Sequence, residues 1–186
     1  MDVDVDFSDR DTALTYFKHT GARNSDGSKH KTGVYFHRVP SDPHDGLCTI
    51  DHKQAEEDYF KLDFLNVGFY RGVKSREHLD ELMSREPIWE LLQEDDFIDN
   101  VFQLHGNGDI LRVLKPSNIE ELAAVLAIIR PSKRYLLNHG WDKIHSEAWT
   151  KPMDGSYYFK KSHAVAYAHA VVVHINLLTD EVLSGV

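Results

Sequence analysis

Polar and apolar residues alternate strictly over positions 2–7, with Asp2, Asp4 and Asp6 on one parity and Val3, Val5 and Phe7 on the other. A period of two is the mark of a half-buried strand, so this stretch predicts a first strand with one apolar and one acidic face. Ser8 then reads as the N-cap of a short helix reaching about His19, with Asp9 and Asp11 in its first turn. GARNSDGSK reads as a loop, TGVYFHRV as a second strand ended by the turn-rich PSDPHDG, and LCTI as a short strand. DHKQAEED is polar and reads as helical. YFKLDFL alternates again, with Phe60, Leu62 and Phe64 on one side and Lys61 and Asp63 on the other.

Past NVGFYRG the spacing of apolar residues changes from two to about 3.6 per repeat. Ser75 predicts the cap of SREHLDELMSR, and Glu86 with Pro87 opens PIWELLQE. Gly106 and Gly108 mark a turn before DILRVLK. Asn118 starts IEELAAVLAIIR, which must stop before Pro131. WDKIHSEAW predicts a short helix, KPMDGSYYF a loop or hairpin, and Ser162 the start of a long apolar helix. The pattern therefore predicts an α+β chain: a small mixed sheet over 1–72, then a helical region over 73–186 packed on it as one compact unit.

Composition sharpens this in three ways. At 186 residues with 41% hydrophobic and 27% charged side chains, the chain has enough apolar surface for a core. Cys48 is the single cysteine, so no intrachain disulfide forms and a reducing cytoplasm is the expected setting; no signal-peptide pattern is expected either. The most apolar run, AVAYAHAVVVHINLL, is interrupted by His169 and His174 and falls short of the roughly 20 residues of a membrane span, so a buried helix and no membrane partner are expected. Net charge is -9, all of it carried by residues 1–115, while 130–161 holds seven basic residues against three acidic ones. That asymmetry fits metal ions beside polyphosphate, and equally fits a plain charge imbalance.

The acidic parity of the first strand raises a chemical question, because aligned carboxylates repel and raise one another's pKa. If the strand carrying Asp63 lies beside the first, Asp4, Asp6 and Asp63 converge. Divalent magnesium prefers such oxygen ligands, and two ions about 4 Å apart can clamp the attacking and leaving oxygens of a phosphoryl transfer. Lys61 shares the face of Asp63 and could reach a phosphate, or else serve as an ion pair holding the carboxylates apart. A solvated acidic strand face is the alternative. Zinc is not indicated by the twelve histidines, since no H-E-x-x-H or Cys/His knuckle exists. His169 and His174 read as satisfied core or interface histidines, and Trp89, Trp141 and Trp149 as packing residues.

Five stretches, in order, carry a family likeness: DVDVDFSDRD, HKTGVYF, KLDFLNV, VFQLHGNG with LKPSNIEELAAVLAIIRPSKR, and FKKSHAVAYA. Together they resemble the palm and fingers of the C-family replicative DNA polymerases, the alpha subunit of bacterial DNA polymerase III. The resemblance implies a polymerase-beta-like nucleotidyltransferase palm followed by a fingers-like half. It implies that Asp4 and Asp6 are the paired metal aspartates and Asp63 the third, with Asp2 flanking them. It implies nucleotide-binding roles for Lys61, Arg130, Lys161 and His163. Read from the residues alone, Arg130 equally suits a cation at a helix C-terminus, and the Ser162–His163 start equally suits capping.

Family members are many times longer, and only 56 residues lie between Asp6 and Asp63. His105, Ser132 and Lys160 also replace the glutamate, glycine and asparagine usual at those places. The implied protein is thus a strongly reduced polymerase, phage-encoded on the ground of size and acting in the host cytoplasm. The implied activity is DNA-directed DNA polymerisation with two magnesium ions, on primer–template DNA and deoxynucleoside triphosphates. The alternative is a decayed module that binds a replisome protein or completes a multi-subunit polymerase; a transferase acting on a small acceptor is a third reading.

Overall fold

Strand β1 runs over Val3–Phe7, in a computed structural model that describes residues 3–185. Asp2 therefore lies outside the described residues. Its burial alternates as the sequence predicts: Val3, Val5 and Phe7 are half-buried and Asp4 and Asp6 exposed. Helix α1 (Arg10–Thr15) follows, capped by the Asp9 carboxylate, which accepts from Thr12 N at 3.1 Å. The cap thus sits one residue beyond Ser8, and the helix stops well short of His19.

Three further strands complete the front of the sheet: β2 (Thr20–Arg23), β3 (Lys29–Tyr35) and β4 (Leu47–Asp51). Helix α2 (His52–Ala55) is capped by Asp51, and β5 (Leu62–Asn66) ends the sequence of strands. The five-stranded mixed sheet has the order β1-β5-β3-β2-β4, with β1 parallel to β5 and β2 parallel to β4. The pairs β2–β3 and β3–β5 are antiparallel.

Strand β2 occupies a stretch that reads as loop. Gly21 and Ala22 are poor strand formers, but Ala22 is fully buried. A Cβ on Gly21 would come within 2.9 Å of the Leu47 side chain, so small residues are what let the strand fit there. β3 begins three residues before the stretch that reads as strand and ends at Tyr35, leaving Phe36 half-exposed at 37%. One sheet face packs Val5, Phe7, Leu62 and Phe64 with Leu14 of α1 and Val34. The other packs Ala22, Tyr35, Cys48 and Ala55.

The chain divides into two compact units, Met1–Arg71 and Gly72–Val186. The second is helical. Helix α3 (Arg76–Ser84) is capped by Ser75, as predicted. The PIWELLQE stretch forms a 3₁₀ turn over Trp89–Gln93 rather than an α-helix, and α4 (Asp95–Ile98) and α5 (Gly108–Leu114) follow. Helix α6 (Ile119–Ile128) starts where Asn118 Oδ1 accepts from Glu121 N at 2.9 Å, while Glu121 reaches back to Ser117 N at 2.7 Å. This reciprocal cap resembles a capping box. Helix α7 covers Trp141–Glu147, and α8 covers Lys161–Ser184. The 151–160 segment has no regular element.

Ala164, Ala168, Val171, Val172 and Ile175 line one side of α8 and share a core with the buried α6 residues. α8 also packs on α3. There Asn176, 2% exposed, donates to the carbonyls of Leu82 and Arg85 at 2.9 Å each. Those are orphan carbonyls at the end of α3, which would otherwise be buried without partners. Trp89, Trp141 and Trp149 pack against the core as expected. Although α8 has 24 residues, no described helix is long and apolar enough to cross a membrane.

The two histidines of α8 differ. His174 Nδ1 accepts from Phe102 N at 2.9 Å, whereas His169 Nδ1 is buried with no hydrogen-bond partner among the described residues. Burial pulls the His174 pKa from its ordinary 6.5 down to about 4. The folded state thus holds this imidazole neutral, and the unfolded chain takes the proton first. Stability from His174 is complete above pH 6.5 and falls away as pH drops towards 4, by on the order of 3 kcal/mol. Urea unfolding between those pH values should show this loss, and His174→Gln, which keeps an acceptor but cannot titrate, should flatten it. An unchanged slope in the variant would contradict the assignment.

Candidate functional site

The parallel pairing of β1 with β5 sets Asp4 directly beside Asp63, with Asp6 two register positions on, beside Leu65. Register partners in neighbouring strands share a face, so Asp4, Asp6, Asp63 and the preceding Lys61 all belong to one side of the sheet. The sequence predicts this face to be open to solvent. On β1 it is, but at Lys61 and Asp63 it is not: they are 5% and 8% exposed. β5 is flanked by β1 and β3, and β3 brings its own side chains over it. Phe60, expected to face the core with Leu62 and Phe64, is instead 49% exposed and lies before the strand begins.

Lys61 Nζ donates to Asp63 Oδ2 in a buried ion pair. Thr32 Oγ1 donates to Asp63 Oδ1 at 2.6 Å, and His30 Nδ1 lies 3.7 Å from the same oxygen. Burial alone would push the Asp63 carboxyl up. The Lys61 ammonium and the Thr32 hydroxyl outweigh it and hold the group below the usual aspartate value. Asp6 goes the other way: loss of hydration and the charge of Asp4 both raise it. The same face therefore carries one carboxylate locked into the ionised form and another whose negative charge is resisted.

Gly33 makes this possible. It sits opposite Asp63 in the β3–β5 register. A Cβ there would approach the Lys61 side chain to 2.8 Å and His30 Nδ1 to 2.9 Å. Any other residue would displace the lysine or the imidazole. His30 Nδ1 accepts from Gly33 N at 2.8 Å, and its ring meets that of His52 edge-on at 4.8 Å. Thr32, His30 and Gly33 all lie in the HKTGVYF stretch. Sequence reading singled out the stretch but assigned none of its residues a role; the signal was a glycine preceded closely by two residues, His30 and Thr32, that can hydrogen-bond.

The remaining predicted residues belong to the helical unit. Arg130, just past α6, donates to Gln103 Oε1 at 3.1 Å and lies 5.0 Å over the Phe159 ring. The His163 ring stacks parallel to Phe159, with centroids 6.4 Å apart. Arg130 and His163 thus share Phe159 as a partner. Lys161 is exposed, 3.5 Å from Glu120 and 5.9 Å over Trp149. α8 begins at Lys161 with Lys160 as its N-cap and no side-chain cap, so the capping reading of Ser162–His163 does not hold. Lys133, part of the basic 130–161 segment, is internal: its Nζ donates to Glu147 O at 2.7 Å and to Thr150 Oγ1 at 3.0 Å.

Whether magnesium suits the sheet face turns on its donors. Asp4 and Asp6 offer hard carboxylate oxygens, and the raised Asp6 carboxyl is a charge that a cation would relieve. Asp63 already has a cation in Lys61. Among the described residues, no group of three or more His, Cys, Asp or Glu side chains could hold a metal ion. No protein-family model matches the chain, and no curated protein is significantly similar to it.

The Lys61–Asp63 pair is testable by itself. Lys61→Met should destabilise the protein by about 3–5 kcal/mol at pH 7, because a buried carboxylate loses its counter-ion. Lys61→Met with Asp63→Leu should regain most of that loss. Denaturant titration measures both, and a neutral Lys61→Met would refute the pairing.

Proposed function

We propose that the chain is a reduced DNA-polymerase-type nucleotidyltransferase. Its sheet would serve as a polymerase-beta-like palm and its helical unit as a fingers-like region. The supporting observation is the register that sets Asp4 beside Asp63 and Asp6 on the same face, from two strands 56 residues apart in sequence. Primer–template DNA and a deoxynucleoside triphosphate would be the substrates, in a cytoplasm. Asp4 and Asp6 would hold the magnesium ions together with one edge of Asp63. When bound, magnesium would supply Lewis-acid charge to the attacking and leaving oxygens.

The chain's own side chains would do the rest. Lys61 keeps Asp63 ionised and is the cation nearest the carboxylates, so it would also meet phosphate charge. Arg130, Lys161 and His163 are proposed nucleotide contacts in the fingers-like unit. The rate would come from positioning and electrostatics, since phosphoryl transfer asks for little covalent chemistry from protein.

One observation favours a second reading, a decayed module that binds a replisome protein or completes another polymerase. Both Asp63 oxygens are engaged, by Lys61 and Thr32, and Arg130 is engaged by Gln103 and Phe159. Calorimetric titration of magnesium with a deoxynucleoside triphosphate separates the two: saturable uptake supports the enzyme, and none supports the module. In a primer-extension assay, Asp6→Asn should lower magnesium-dependent incorporation at least about a hundredfold, with the circular dichroism spectrum unchanged. Extension at the parental rate would end the metal assignment.

A further inference from the structure

A cleft of about 400 Å³ opens in the sheet unit where the α1–β2 connection meets the end of β3. Lys18, His19, Thr20, His37, Arg38 and Ser41 line it, with Phe36, 37% exposed, as its accessible aromatic ring; Tyr35 borders it but is 1% exposed. A second cleft of about 450 Å³ shares Arg38, Val39 and Ser41 with it. The lining contains two permanent cations, two imidazoles, the aliphatic hydroxyls of Thr20 and Ser41 and the phenol of Tyr35, and no aspartate or glutamate. That is unusual in a chain of net charge -9.

Neither cation is neutralised. Among the described residues, Lys18 and Arg38 have no ion-pair partner, whereas Arg10, Arg23, Lys61, Arg85 and Arg112 each have one. The walls are held by backbone, not by chance side-chain positions. Thr20 and Tyr35 are register partners in the β2–β3 pair. His37 Nε2 accepts from Phe60 N at 3.1 Å, which fixes its ring. His19 Nδ1 donates to Phe17 O at 2.9 Å, leaving Nε2 as its other polar atom. Phe17 meets Phe36 edge-on at 5.9 Å.

We propose that this cleft binds a phosphorylated small molecule. Lys18 and Arg38 would meet the phosphate charge, and Thr20 and Ser41 would donate hydroxyl hydrogen bonds. The exposed Phe36 ring would cover the uncharged part of the ligand. The volume is that of an organic ligand site rather than of a single oxyanion. An arginine and a lysine together suit phosphate, one by its planar fork and the other as a point charge. The site does not depend on the carboxylate face and needs no metal.

Isothermal titration with inorganic pyrophosphate in the presence of EDTA tests it, since without divalent ions the carboxylate face would repel the probe. Saturable binding is expected, retained in Asp63→Asn. Lys18→Gln combined with Arg38→Gln should weaken it about tenfold or more. Lys31→Gln combined with Lys53→Gln, which removes the same charge from exposed positions outside the lining, should change it little. The proposal is overturned by an absence of saturation, by equal weakening in both double variants, or by binding that survives loss of Lys18 and Arg38.

Discussion

The ammonium of Lys61 against the carboxylate of Asp63 is the constraint around which the sheet unit is arranged. Two opposite charges can leave water only if each satisfies the other and the remaining lone pairs find donors. Thr32 supplies the second donor, and His30 closes the side. Gly33 must then be bare, because the lysine stem and the imidazole occupy the space a Cβ would take. The β3–β5 register follows, since it places Gly33 opposite Asp63. Asp4 on the next strand faces a carboxylate that is already neutralised. Two acidic residues can therefore stand side by side in a parallel ladder.

Much of the helical unit was legible from end signals. Ser75, Asn118 and Pro131 bound their helices as the sequence indicates, because caps and proline act locally. β1 was legible because its alternation is complete. β2 was not, because a strand built of Thr, Gly, Ala and Arg is held by its two neighbours rather than by its own preference. The site was half legible. Period two put Lys61 and Asp63 on a common face, but alternation assigns parity and not depth, and on β5 the polar face turned out to be buried as well as the apolar one. Thr32 and His30 were hidden for a related reason: their partner lies 31 and 33 positions away, at a distance only the sheet register defines.

The basic residues tell a similar story of local count against spatial use. The 130–161 segment looks positive on paper. In space Lys133 is consumed by a carbonyl and a hydroxyl, Arg130 by an amide and a ring, and Lys143 and Lys161 lie near Glu147 and Glu120. Lys18 and Arg38, far less conspicuous in sequence, keep their charge unspent beside a cleft. Charge density along a chain is thus a weak guide to where an anion is met.

The place of α8 in chain order has a consequence for biosynthesis. Helices α3 and α6 both lean on it, and Asn176 closes the end of α3 from more than ninety residues downstream. A ribosome delivering this chain releases the sheet unit with all its strands in hand. It then exposes the α8-facing sides of α3 and α6 until α8 is made, about ninety residues after α3 and about fifty after α6 (several seconds at ordinary elongation rates). During that interval the surface that α8 will cover is open, and a chaperone or a neighbouring nascent chain could reach it first.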